Sequence, residues 1–177
     1  MKTGHILLVS QEAVRKIMRH GWHVYPLEAF GFILGTTAPQ CVHAALPTFK
    51  TAHWDSHGDR WNGLAEKRPI ADDVAAIFGL QVVGVYATYD CHVALQPFPA
   101  AFADGIVITY PFSHATNEAG VRGAELHAPG IGPGDWELSR GKRLAPGFNQ
   151  RRILAAWRAR VGPVDYSNNY VTEYPRI

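Results

Sequence analysis

Pro26-Leu27-Glu28-Ala29-Phe30-Gly31-Phe32-Ile33-Leu34-Gly35 and, about fifty residues later, Val82-Val83-Gly84-Val85-Tyr86 are the two stretches whose reading decides the fold. In the first, residues 30–34 form an apolar run closed by Gly35, the pattern of a buried strand. Residues 41–46 follow closely enough to pair with it as a hairpin. The second stretch is apolar without alternation, as expected of a central strand covered on both faces.

Working outward, residues 6–9 read as a short buried strand, and Ser10 after them suits a helix cap, because its hydroxyl can accept a free backbone N–H of the first turn. Within residues 11–20, Val14, Ile17 and Met18 fall at the spacing of one helix face, and Gly21 reads as the terminator. Residues 47–61 show no clean period and read as a long loop or a frayed extended segment. Pro69, with Asp72 and Asp73 close behind, opens a helix whose first turn favours negative charge. Val74, Ile77 and Phe78 mark its buried face, and Gly79 ends it.

Residues 105–110 are a further strand. Pro129, Gly130, Gly132, Pro133 and Gly134 make residues 128–146 a loop. A last helix covers residues 149–160, with Ile153, Leu154, Trp157 and Val161 on one face, and the polar, aromatic tail 165–177 lies on the surface. Strand, helix, hairpin, helix, central strand, strand and helix predict an α/β (α+β) domain, a mixed central sheet flanked by helices. The expected division is a core over residues 1–127, with 128–177 packed on that same domain.

At 177 residues the chain fits one domain, and 47% apolar against 18% charged residues excludes a disordered chain. Ile6-Leu7-Leu8-Val9 is too short for a signal peptide or a membrane helix, which points to the cytoplasm. Cys41 and Cys91 are too few and too far apart for a disulfide framework or a Cys-based zinc knuckle, and their oxidation state is left open. The net charge of +2 defines no partner, although residues 140–160 carry seven basic side chains and no acid.

Read together, the two stretches resemble the JAMM/MPN (JAB-type) metalloprotease-fold family, whose architecture is cytidine-deaminase-like. The first is similar to the family's opening Pro-x-Glu-x-x-Gly-x-hydrophobic-x-Gly strand, the second to the strand leading into its zinc loop, and the resemblance covers roughly residues 5–125. It implies a zinc isopeptidase in which Gly-x-Tyr is followed by His-Ser-His-Pro and then Ser-x-x-Asp. Two His and the Asp hold the metal, a zinc-bound water attacks, and the opening-strand Glu is the general base. Here Glu28 keeps the base position. Ala87 and Tyr89 stand where the two His belong, Thr88 replaces the Ser between them, Asp90 replaces the Pro, and Asp104 aligns with the Asp only with Ala101 in place of its Ser. Alanine has no lone pair to offer, and a phenol with a pKa near 10 is a poor zinc ligand at neutral pH.

The resemblance therefore implies an inactive relative, a pseudoenzyme without zinc in which Glu28 no longer serves as a base. Its expected role is a binding or scaffold subunit whose old groove, lined by Thr88, Tyr89, Asp90 and His92, takes a protein partner. That partner would be an active JAMM homologue, or a ubiquitin-like or sulfur-carrier protein gripped by strand addition. One rival is an atypical metal-dependent amide hydrolase with relocated zinc ligands, His92 and Asp104 with His53 or His57. Cys91 beside His92 does not read as a nucleophile pair, since neighbours on an extended chain face opposite ways. The other rival, a nucleic-acid-associated accessory protein, rests on the basic last helix with Trp157 and nearby Phe148. A solvated basic face with Trp157 packed inward is the preferred reading of that helix. Self-association is left open.

Overall fold

The structure, a computed structural model, describes residues 7–24, 29–37, 40–48, 57–90, 105–112, 125–127, 136–139 and 149–162. Its elements in chain order are β1 (Leu7–Ser10), α1 (Gln11–Val24), β2 (Ala29–Thr37), β3 (Gln40–Pro47), α2 (His57–Ile77), β4 (Gln81–Asp90), β5 (Ile106–Phe112), β6 (Glu125–His127), β7 (Trp136–Ser139) and α3 (Gln150–Val161). The strands form one mixed sheet in the order β6-β5-β4-β2-β3-β1-β7. β2 is antiparallel to both β3 and β4, while β1–β3, β1–β7 and β4–β5 are parallel. The fold is α+β, as the sequence predicts.

Alternation along the strands divides the core in two. On one face α1 lays Val14, Ile17 and Trp22 against Ile33, Val42 and Tyr86. On the other, α2 and α3 lay Leu64, Val74, Ile153 and Trp157 against Phe32, Leu46 and Val85. Ser10 caps α1 as expected, accepting from the Ala13 N–H at 3.0 Å. Its own proton goes to the His43 carbonyl at 2.8 Å. His43 is an extra residue in β3, for β2 pairs Leu34 with Ala44 but Gly35 with Val42. Ser10 thus satisfies a bulge carbonyl and a helix start together.

Several boundaries differ from expectation. α1 continues past Gly21 to Val24, because Trp22 buries its ring in the core and that outweighs the cost of a mid-helix glycine, about 1 kcal/mol. α2 begins at His57 and contains Pro69, so the segment read as a loop up to residue 61 is helical from His57, and Gly58 lies inside the helix. Buried Leu64 before Pro69, and Ala71, Val74 and Ala75 after it, hold both halves to the same sheet face. Gly79 ends α2 as expected, with φ of 67° and Leu80 N–H donating back to the Ala75 carbonyl at 2.9 Å. β7 lies inside the Gly/Pro-rich segment read as loop, and three-residue β6 has too short a run to be seen in sequence. The tail 165–177 lies outside the described residues.

Candidate functional site

The two stretches, distant in sequence, become neighbouring strands. Phe30 of β2 stands opposite Ala87 of β4, and Ala29 opposite Thr88. β4 then pairs with β5 on its other side, Ala87 with Thr109 and Tyr89 with Pro111. The positions that the resemblance assigns to zinc chemistry therefore sit at the carboxyl end of a central strand.

Two glycines of the first stretch are required by close approach. A Cβ on Gly31 would run into the Tyr86 ring and the Leu46 carbonyl, and one on Gly35 into the Cys41 backbone. The Tyr86 ring occupies the space that a Cβ on Gly31 would need. Its hydroxyl reaches His20 Nδ1 of α1 at 2.7 Å, and the two rings meet edge to face at 5.9 Å. Tyr86 and His20 are both buried. The Thr48 backbone also hydrogen-bonds His20. Burial, reinforced by the positive charges of Lys16 and His23, drives the His20 pKa from 6.5 down to about 3, so the ring is neutral.

Ala87 is on the opposite face, fully buried in the apolar cluster with Phe30, Phe32, Val85 and Trp157. It offers no donor atom, and its surroundings are hydrocarbon. Thr88 is buried as well, its Oγ1 accepting from the Ala29 N–H at 3.1 Å. That corrects its expected place in an open groove: Thr88 braces the β2–β4 pair. For Tyr89 and Asp90 the structure describes the strand backbone alone, and for His57 the backbone at the start of α2. Glu28, His53, Cys91, His92 and Asp104 lie outside the described residues.

The two positions of the resemblance's zinc loop whose side chains are described, 87 and 88, offer no free ligand to zinc. Position 87 has no ligand atom and position 88 has a hydroxyl already engaged. Among the described residues no three His, Cys, Asp or Glu side chains gather closely enough to hold a metal.

Two pairings escaped the sequence reading. His20–Tyr86 joins residues on different elements, and nothing local signals it. Cys41 and His43 stand two apart on β3, with Sγ 3.9 Å from Nδ1, a spacing that could have been noticed. Burial pushes the Cys41 thiol up and the His43 imidazole down, so both stay neutral and no thiolate–imidazolium pair forms. Cys41 is a free thiol. Trp157 is buried, as the inward-packed reading of α3 expects, and its Nε1 donates to the Pro47 carbonyl at 2.7 Å. No helix among the described residues is long and apolar enough to cross a membrane.

No family model matches the chain, and no curated protein matches it. Solved structures do. The chain is similar to a JAB1/MPN domain protein from Archaeoglobus fulgidus. Identity there is 9%, with 75% of this chain and 98% of that one covered at a TM-score of 0.46. A protein from Salinibacter ruber is 23% identical over 80% of this chain and 96% of its own, with a TM-score of 0.48. One from Desulfitobacterium hafniense is 12% identical over 78% and 96%, with a TM-score of 0.47.

Proposed function

We propose that this chain is a zinc-free JAMM/MPN-like protein that works as a protein-binding or scaffold subunit. The observation that carries the reading is Ala87. At the first zinc position stands a side chain with no donor, sealed at 0% exposure among Phe30, Phe32 and Val85. A metal there would have to replace hydrocarbon contacts with its own hydration or with ligands that the strand does not supply. The strand packing near the position is close, since Gly31 admits the Tyr86 ring and Gly35 the Cys41 backbone. A shape kept without its chemistry suits binding better than hydrolysis.

The partner this favours is a ubiquitin-like or sulfur-carrier protein with an extended C-terminal tail, or an active JAMM homologue. It would meet the chain at the carboxyl end of β4, with Tyr89 as an aromatic anchor beside Asp90 and His92. The test is metal analysis of protein purified without a histidine tag, run beside its melting with and without chelator. The expected result is well under one zinc per chain and no change in melting. Stoichiometric zinc that chelator removes with loss of stability would overturn the reading in favour of relocated ligands. Binding of a ubiquitin-like protein with a free tail should weaken by about 1–3 kcal/mol in Tyr89→Ala.

A further inference from the structure

Cys41 and His43 lie on β3 with one residue between them, and the strand brings their side chains together. Successive residues of a strand point to opposite faces, so positions 41 and 43 begin on one side. His43 is the extra residue of the bulge, a device that bends a strand and re-aims a side chain. The Ser10 hydroxyl fixes its carbonyl at 2.8 Å. Cys41 is fixed by pairing with Leu8 of β1 on one side and Thr36 of β2 on the other. Sγ and Nδ1 then stand 3.9 Å apart, and both residues are buried.

As a hydrogen bond this contact contributes little, because a thiol is a weak donor. The same separation fits a metal ion. With metal–sulfur and metal–nitrogen bonds of about 2.3 and 2.0 Å, a gap of 3.9 Å gives an angle of about 130° at an ion seated between the two atoms. That is wider than the roughly 109° of a tetrahedral zinc site. Charge points the same way. A thiolate and a neutral imidazole together carry one negative charge, so a monovalent cation makes a neutral centre of them. A divalent ion on the same two ligands leaves a net positive charge to be buried, which is costly. Thiolate sulfur also selects soft ions, copper(I) foremost, and these accept fewer ligands than the four that zinc takes.

We propose that Cys41 and His43 form a binding site for a soft monovalent metal ion of the copper(I) class. Binding makes one bond from the metal to Sγ and one to Nδ1. The thiol proton leaves to solvent, the ring proton stays on Nε2, and nothing is oxidised or reduced. Burial keeps the imidazole neutral, which leaves the Nδ1 lone pair available. Burial also favours the protonated thiol, so uptake strengthens as pH rises. The site is on β3, separated from β4 by β2, and uses no residue of the proposed protein-binding surface, so either can fail without the other.

Anaerobic titration of the tag-free full chain with copper(I), in competition with the chelator bathocuproine disulfonate, tests this. One copper(I) per chain should be withheld from the chelator, more tightly at about pH 8 than at about pH 6. Cys41→Ser should abolish that binding, and His43→Leu should weaken it by roughly tenfold or more. Cys91→Ser should leave it unchanged, with circular dichroism confirming that each variant is folded. A second readout needs no variant: X-ray absorption at the copper edge should find sulfur and nitrogen together in the first shell. Copper left wholly with the chelator, loss of binding in Cys91→Ser, or a shell of nitrogen alone or sulfur alone would each overturn the proposal. So would displacement of the copper by an equimolar amount of zinc.

Discussion

Mild acid should destabilise this protein through His20. The ring is 2% exposed and neutral, held between the Tyr86 hydroxyl at 2.7 Å and the Thr48 backbone. Its pKa stands at about 3 in the fold against 6.5 for an ordinary histidine, burial being the main cause. The unfolded chain therefore takes up a proton below pH 6.5 that the folded chain refuses. Stability from this group is complete above 6.5 and is lost as pH falls toward 3. Each pH unit in that window removes about 1.4 kcal/mol, so roughly 2 kcal/mol is gone by pH 5. That is a large share of the 5–15 kcal/mol typical of a domain, and corresponds to a Tm lower by about 4–8 °C.

His23 and His43 shift in the same direction and add to the slope, so the His20 share must be isolated. His20→Gln does so, because an amide can still hydrogen-bond both neighbours but does not titrate. Urea unfolding followed by circular dichroism between pH 5 and 7.5 is the assay. The variant should be less stable than wild type near neutrality, yet lose about 2 kcal/mol less on going to pH 5. An unchanged pH slope in His20→Gln would refute the reasoning and place the acid sensitivity elsewhere.

Three further outcomes follow from the packing. Gly31→Ala should cost about 1–3 kcal/mol in chemical unfolding, because its methyl meets the Tyr86 ring and a backbone carbonyl that cannot give way. Trp157→Phe should cost about 1–3 kcal/mol, since the edge-to-face contact with Phe32 is retained in kind but the Pro47 carbonyl loses its donor. Ala87→His with Tyr89→His should lower Tm in the absence of zinc, as an imidazole is forced into the Phe30 cluster, and should not yield an efficient isopeptidase on a ubiquitin-like fusion. Turnover by that double variant would show that the rest of a working site is present.

The strands were legible where burial dictates composition. Residues 82–86 are apolar throughout because β4 lies between β2 and β5 with packed cores on both faces, and 30–34 for the same reason. Ser10 was legible because a cap is a local device. What the sequence hid depends on distant partners. Gly21 continues α1 only because Trp22 finds a core, and Pro69 is tolerated because α2 is pinned on both sides of it. β7 becomes a strand by pairing with β1, which no pattern within Trp136–Ser139 announces. At the candidate site the apolar side chain at position 87 was visible in the sequence. The burial of Thr88 was not, since its polarity suggests exposure while the Ala29 N–H draws it inward.

Two different kinds of constraint act on the residues of the two strands, β2 and β4. Gly31, Gly35 and Tyr86 carry the resemblance, and each has a role that can be stated without chemistry. The glycines admit a ring or a backbone at a distance that no Cβ allows, and Tyr86 locks β4 to α1 through His20. A change at any of them is felt as instability, whatever the protein does. Position 87 is different, because a ligand there contributes to function and only indirectly to packing. Alanine at that place is fully buried in the apolar cluster that also holds Phe30, Phe32 and Val85. Apolar contact with no orphaned polar atom can be as stable as a buried polar site, or more so. The fold can therefore hold with no donor at position 87, and glycine spacing with a strand-end tyrosine reports architecture rather than chemistry.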